Sequence, residues 1–166
     1  MHVFNDLEKG KLREVARACA CANLRKAARV VTQIFDEALA PSGLKCTQFT
    51  LLATARLAGE QTISGLAEKM VMDRTTLSRN LRPLVRAGLL EAVPGEDNRT
   101  RLVRISAEGR RALARAYPMW EAAQEAVIGA LGGERFEALL GDVSRTTALA
   151  GGGASGPADG ARNQTT

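Results

Sequence analysis

The sequence predicts a mostly α-helical fold centred on a helix-turn-helix with a short β-hairpin beside it, and three observations predict it. First, residues 64–105, SGLAEKMVMDRTTLSRNLRPLVRAGLLEAVPGEDNRTRLVRI, read as a helix, a tight turn, a second helix and a hairpin. Second, the basic residues concentrate there. From Arg74 to Arg104, seven arginines (Arg74, Arg79, Arg82, Arg86, Arg99, Arg101 and Arg104) stand against only Glu91, Glu96 and Asp97, which leaves +4 of the formal net charge of +5. Third, apolar residues recur at spacings of three and four on both sides of this stretch, so helices flank it.

Residues 1–10 read as a flexible N-terminus, and Leu12–Leu39 as one long helix. Leu24, Ala28, Val31, Phe35 and Ala38 make one apolar stripe and Leu12, Val15, Cys19 and Ala22 another. Two stripes exceed what one small core needs, so one of them is expected to face a partner chain. Ala40-Pro41-Ser42-Gly43 breaks the helix. Cys46 or Thr47 opens the next one, which carries Phe49, Leu51, Leu52 and Ala55 and closes at Gly59. Gln61–Ile63 reads as a short strand, and Ser64 as the cap of a short helix ending at Met70.

Asp73 is the expected N-cap of the following helix, its carboxylate accepting from the amide of Thr75 or Thr76. Gly88 suits the left-handed position that ends it. Leu77, Leu81, Leu84 and Val85 form its inner stripe, and Arg74, Thr75, Ser78, Arg79, Arg82 and Arg86 its outer face. Pro83, lacking an N–H for the Arg79 carbonyl, predicts a kink. Leu90–Val93 and Leu102–Ile105 are the hairpin strands, with a loose tip over Pro94–Asn98. Ser106 caps a helix to about Ala130, Gly132-Gly133 interrupts, and a last helix ends near Leu149. Residues 150–166, GGGASGPADGARNQTT preceded by alanine, lack the apolar content to fold and are expected to be disordered.

A helix of this kind fits the DNA major groove, where the planar fork of arginine matches the O6 and N7 of guanine. A solvated face normally mixes both signs of charge, and this one holds no carboxylate. Arg74, Arg79 and Arg82, with Thr75, Thr76 and Ser78, are therefore the candidate base- and phosphate-contacting residues, and Arg86 meets the backbone. Double-stranded DNA is the expected partner.

The totals exclude other classes. At 166 residues, 45% of them apolar and 25% charged, the chain suits a single cored domain. No apolar run approaches the ~18 residues of a membrane span. Three cysteines and no export signal point to reduced thiols in the cytoplasm. The only histidine is His2, so no Ser–His or Cys–His catalytic set can form, and an enzyme is not expected. No cofactor or metal is expected either. A non-specific architectural DNA binder is the main rival, but it would spread its basic residues over the surface.

The order of elements, the DRTTLSRNL start of the second helix and the hairpin DNRTRLVRIS together resemble the MarR family of winged helix-turn-helix regulators. The similarity spans about residues 12–149. It implies a single domain over 11–149, with dimerisation helices at 11–40 and 107–149 and a winged helix-turn-helix at 47–106. It also implies a homodimer, usually a repressor, on a pseudo-palindromic operator. In the family's wing pattern, Asp97 braces Arg99 for the minor groove, and Arg101 and Arg104 would serve phosphates. Tyr117, Trp120, Val127, Leu139, Leu140 and Val143 would join the dimer interface. Release would follow a small aromatic acid, bound near Phe49, Arg25 or Trp120, or an oxidant.

Cys19, Cys21 and Cys46 are the candidate redox residues. On a continuous helix Cys19 and Cys21 diverge by ~200°, which excludes a shared ion or a disulfide between them. Cys21 resembles in spacing the reactive cysteine of the peroxide-sensing, OhrR-like branch. That branch places two tyrosines where this chain has Arg25 and Cys46. A helix N-terminus at Cys46 would favour thiolate, and an intersubunit Cys21–Cys46 disulfide would follow. The plainer reading makes all three small core hydrophobes.

Overall fold

A computed structural model describes residues 9–95 and 101–149. The chain opens with two helices where one was expected, α1 (Lys9–Ala18) and α2 (Ala20–Leu39). Cys19 lies between them in an extended conformation, φ −65° and ψ 110°. The break takes the Arg17 carbonyl out of the helical ladder, and Asn23 collects it together with the Cys19 carbonyl, which already accepts from the Asn23 backbone amide. Its side-chain amide donates to the carbonyls of Arg17 and Cys19, each at 3.0 Å. Asparagine competes with the helical ladder in this way, which is why it weakens helix interiors.

After a 3₁₀ turn at Ala40–Ser42 and a left-handed Gly43, α3 (Cys46–Ala58) packs against α2. Asp36 joins the two: its carboxylate accepts from the Cys46 amide at 2.7 Å and lies 3.5 Å from the Lys45 ammonium. A two-residue strand β1 (Gln61–Thr62) leads into α4 (Ile63–Lys69). Its cap is Thr62 and not the expected Ser64, the Thr62 hydroxyl accepting from the Gly65 amide at 3.0 Å. Ser64 already lies inside the first turn.

Next comes α5 (Arg74–Arg86), which runs through Pro83. Asp73 caps it as expected, accepting from the Thr76 amide at 2.8 Å. At the far end Gly88 takes φ +69°, the Gly88 amide donates to Val85 and the Leu89 amide to Leu84. This pair of bonds is a Schellman motif, and it turns the chain directly into the sheet.

The hairpin strands are β2 (Leu90–Pro94) and β3 (Arg101–Ile105), paired from Leu90↔Ile105 to Pro94↔Arg101. With β1 they form an antiparallel sheet in the order β1-β3-β2. Residues 96–100 lie outside the described residues, and so do Asp97 and Arg99. The same holds for residues 1–8 and 150–166, where flexible ends were expected.

Ser106 caps α6 (Ala107–Leu131), and Gly132 separates it from α7 (Gly133–Ala148). Burial explains the order of elements. Leu39, Leu51, Leu52, Leu66, Leu77, Leu84 and Leu90 are fully buried, so α2, α3, α4, α5 and β2 share one core. Each such side chain contributes roughly 1.5–3 kcal/mol over exposure. Val85, expected in the inner stripe, is instead exposed, because Leu84 already occupies the inward position at that turn.

Two features of the surface stand out. α1 and α7 bury none of their own residues, yet Leu12, Val15, Leu139, Leu140 and Val143 project from them. Among the described non-glycine residues, only Val71, in the turn between α4 and α5, has a positive φ, +50°. A β-branched residue there is strained. Val71→Gly is expected to stabilise the fold by about 1 kcal/mol, read as a higher urea midpoint at unchanged slope.

Candidate nucleic-acid interface

The polar side of α5 follows from its register. With Leu77, Leu81 and Leu84 turned into the core, the residues between them must face out. Arg74, Thr75, Ser78, Arg79 and Arg82 line one shallow depression of about 360 Å³. No carboxylate among the described residues forms an ion pair with these arginines. Five polar side chains on three successive turns therefore present donors to one exposed region, with their charge unneutralised.

Two residues assigned to this face behave differently. Thr76 is held by the helix cap: hydrogen bonds from its side chain and then its amide draw the Asp73 carboxyl below the usual carboxylate range. Asp73 consequently stays ionised, and the cap intact, down to acid pH. Arg86 does not line the depression. It borders an apolar groove with Ile63, Leu81, Val85, Ala92 and Val103, farther along the helix.

On the hairpin, Arg101 is exposed at the described end of β3, opposite Pro94. Arg104, expected to serve phosphates, is engaged within the fold. Its Nε donates to Glu91 at 2.9 Å and a terminal nitrogen donates to Glu60 at 2.8 Å. Glu60 first and then Glu91 raise the guanidinium's pKa further above its ordinary value. A side chain held by two carboxylates would have to release one of them to meet a phosphate. Neither glutamate was anticipated in this role, although both lie level with Arg104 once the sheet register is known.

The cysteines are also rearranged. Because the helix breaks at Cys19, the 200° divergence assumed for Cys19 and Cys21 does not describe them. No cluster of three potential metal-binding side chains occurs among the described residues. Cys46 opens α3 as expected, but the thiolate expected there is not favoured. Burial, and then the nearby Asp36 carboxylate, push its thiol up, while a hydrogen bond with Thr50 acts in the other direction. Asp36 supplies the negative charge that the helix end would otherwise have drawn from sulfur. Iodoacetamide at neutral pH is therefore expected to label exposed Cys21 first. Labelling of Cys46 should become fast only at alkaline pH, as peptide mass spectrometry can follow.

The aromatic residues proposed near an effector pack together. Trp120 stacks on Phe49 with centroids 5.9 Å apart, and Phe35 and Tyr117 lie at 6.4 and 5.6 Å. A larger cavity of about 580 Å³ lies instead along α2, lined by residues that include Arg29, Thr32, Asp36 and Lys45.

Comparison with known proteins bears on this geometry. The transcriptional regulator MosR of M. tuberculosis, solved in complex with DNA, is 38% identical over 80% of this chain and 96% of its own, with TM-score 0.73. A model of the MarR family matches residues 44–100. The chain belongs to the MarR family. Its fold is shared with a MarR mutant from E. coli complexed with operator DNA, at 19% identity over 86% of this chain and 99% of that one, TM-score 0.73. BpsR of Bordetella bronchiseptica, whose DNA binding is regulated by 6-hydroxynicotinic acid, is 21% identical over 77% and 92%, TM-score 0.70. No curated protein matches the sequence. The match to residues 44–100 covers α3, α4, α5 and β2, so the family signal lies on the elements that build the depression on α5.

Proposed function

We propose that two copies of this MarR-family chain bind an inverted-repeat operator, each laying α5 in a major groove, and so regulate transcription. The observation that carries this is the uncompensated row Arg74, Thr75, Ser78, Arg79 and Arg82 on one exposed helix face. The relationship to MosR supports it. Arg79, near the middle of that face, reads a base edge, and Arg74 and Arg82 flank it on bases or phosphates. Thr76 serves the cap. Arg86 and Arg101 meet backbone, and Arg99 braced by Asp97 enters the minor groove.

The apolar residues left exposed on α1 and α7 are what a homodimer would cover, since a monomer gains nothing from leaving both helices unburied. Two-fold symmetry would set the reading helices about 34 Å apart, one turn of duplex. The protein works in the cytoplasm as a repressor, has no catalytic role, and leaves DNA on binding a small aromatic acid. The raised thiol at Cys46 makes it a slow partner for oxidised Cys21, which favours that signal over a Cys21–Cys46 disulfide.

A competition shift assay tests the reading. Operator complexes are expected to survive a large excess of random duplex at moderate salt. Equal competition by random duplex would make the protein a non-specific architectural binder.

A further inference from the structure

The outer face of the sheet carries a row of charges with no part in the reading given above. Arg104 lies on β3, the middle strand, directly across from Glu91 on β2. On its other side Gln61 pairs with Val103, which brings the preceding residue, Glu60, level with Arg104. The guanidinium bonds to both carboxylates, so one side chain spans the width of the sheet.

That position has a mechanical meaning. β1 supplies only Gln61 and Thr62 to the sheet, and Thr62 is also the cap of α4. β1 therefore joins the hairpin through only two residue pairs, while Leu90, Val103 and Ile105 fix the base of the hairpin in the core shared with α3, α4 and α5, so the hinge lies at that base. Beyond Arg104 the described strand extends three residues, about 10 Å at ~3.3 Å per residue. A rotation of ~15° at the hinge would move that end by about 2.6 Å, enough to lose a hydrogen bond. A second attachment on the outer face opposes such rotation.

We infer that Arg104 is a positioning residue for DNA binding: bridging Glu60 and Glu91, it sets the angle between the β2–β3 hairpin and the α4–α5 pair. The inference rests on the DNA-binding reading above. All three side chains are about half exposed, at 47%, 49% and 45%, so the row adds little to folding stability and acts on orientation. It also carries one more negative than positive charge, which makes it a poor phosphate site.

The sign of one substitution separates the possibilities. Glu60→Gln removes a negative charge, and on charge alone it should tighten binding to any duplex. The bridge predicts instead that operator binding weakens about fivefold, the scale of one coupled exposed ion pair. Random duplex should bind as well or better, and the melting temperature should stay unchanged. Arg104→Ala should weaken operator binding similarly with the wild-type salt slope, and adding Glu60→Gln to it should cost nothing more. Operator binding by Glu60→Gln as tight as wild type or tighter would overturn the inference. So would a salt slope lowered by about one in Arg104→Ala, which marks a lost phosphate contact. A wild-type chain without sequence preference would instead overturn the DNA-binding reading itself.

Discussion

Arg79→Ala is expected to lose roughly 1–3 kcal/mol of operator binding and nearly all discrimination at one base pair per half-site, while random duplex is bound almost as before. The residue lies mid-row on α5, exposed, and no carboxylate among the described residues pairs with its fork. In a dimer the loss is felt at both half-sites. Affinity measured on the operator and on a set of singly substituted operators reads both effects. Equal losses on operator and random duplex would reassign Arg79 to a phosphate.

Gly109→Ala is expected to be the most damaging small substitution outside the leucine core. Gly109 is buried in the first turn of α6, where the Ser106 hydroxyl accepts from its amide at 2.9 Å. A Cβ built there overlaps the carbonyl oxygen of Leu89 and meets the Ile105 side chain at 2.8 Å. The obstruction is backbone, and that backbone is tied: the Ser106 amide donates to the same Leu89 carbonyl at 3.1 Å. Neither side can yield without opening the junction of α5, the sheet and α6. Destabilisation of about 2–3 kcal/mol is expected, seen as a lower urea midpoint. Wild-type stability would show that α6 shifts freely on the sheet.

The helix-turn-helix was legible because its signals are local. Asp73 and Gly88 bracket α5 with side-chain and backbone chemistry that depends on no other element, and the leucine spacing orients it. The hairpin strands around Pro94 were legible for the same reason. Errors came where distant groups compete. At Cys19 the first helix breaks where the Asn23 side chain takes up the Arg17 carbonyl, and apolar periodicity does not register such an exchange. Burial, and then the Asp36 carboxylate ten residues away, push the Cys46 thiol up against the expectation from the helix end. Arg104 read as free because Glu60 lies 44 positions away, and only the β1–β3 register brings the two together.

Selection of bound sequences from a random duplex pool by the purified protein tests the central claim most directly. Two copies presenting α5 to successive turns predict enrichment of an inverted repeat with half-site centres about 10 base pairs apart. Enrichment of a single unrepeated half-site, or of no sequence, would contradict it.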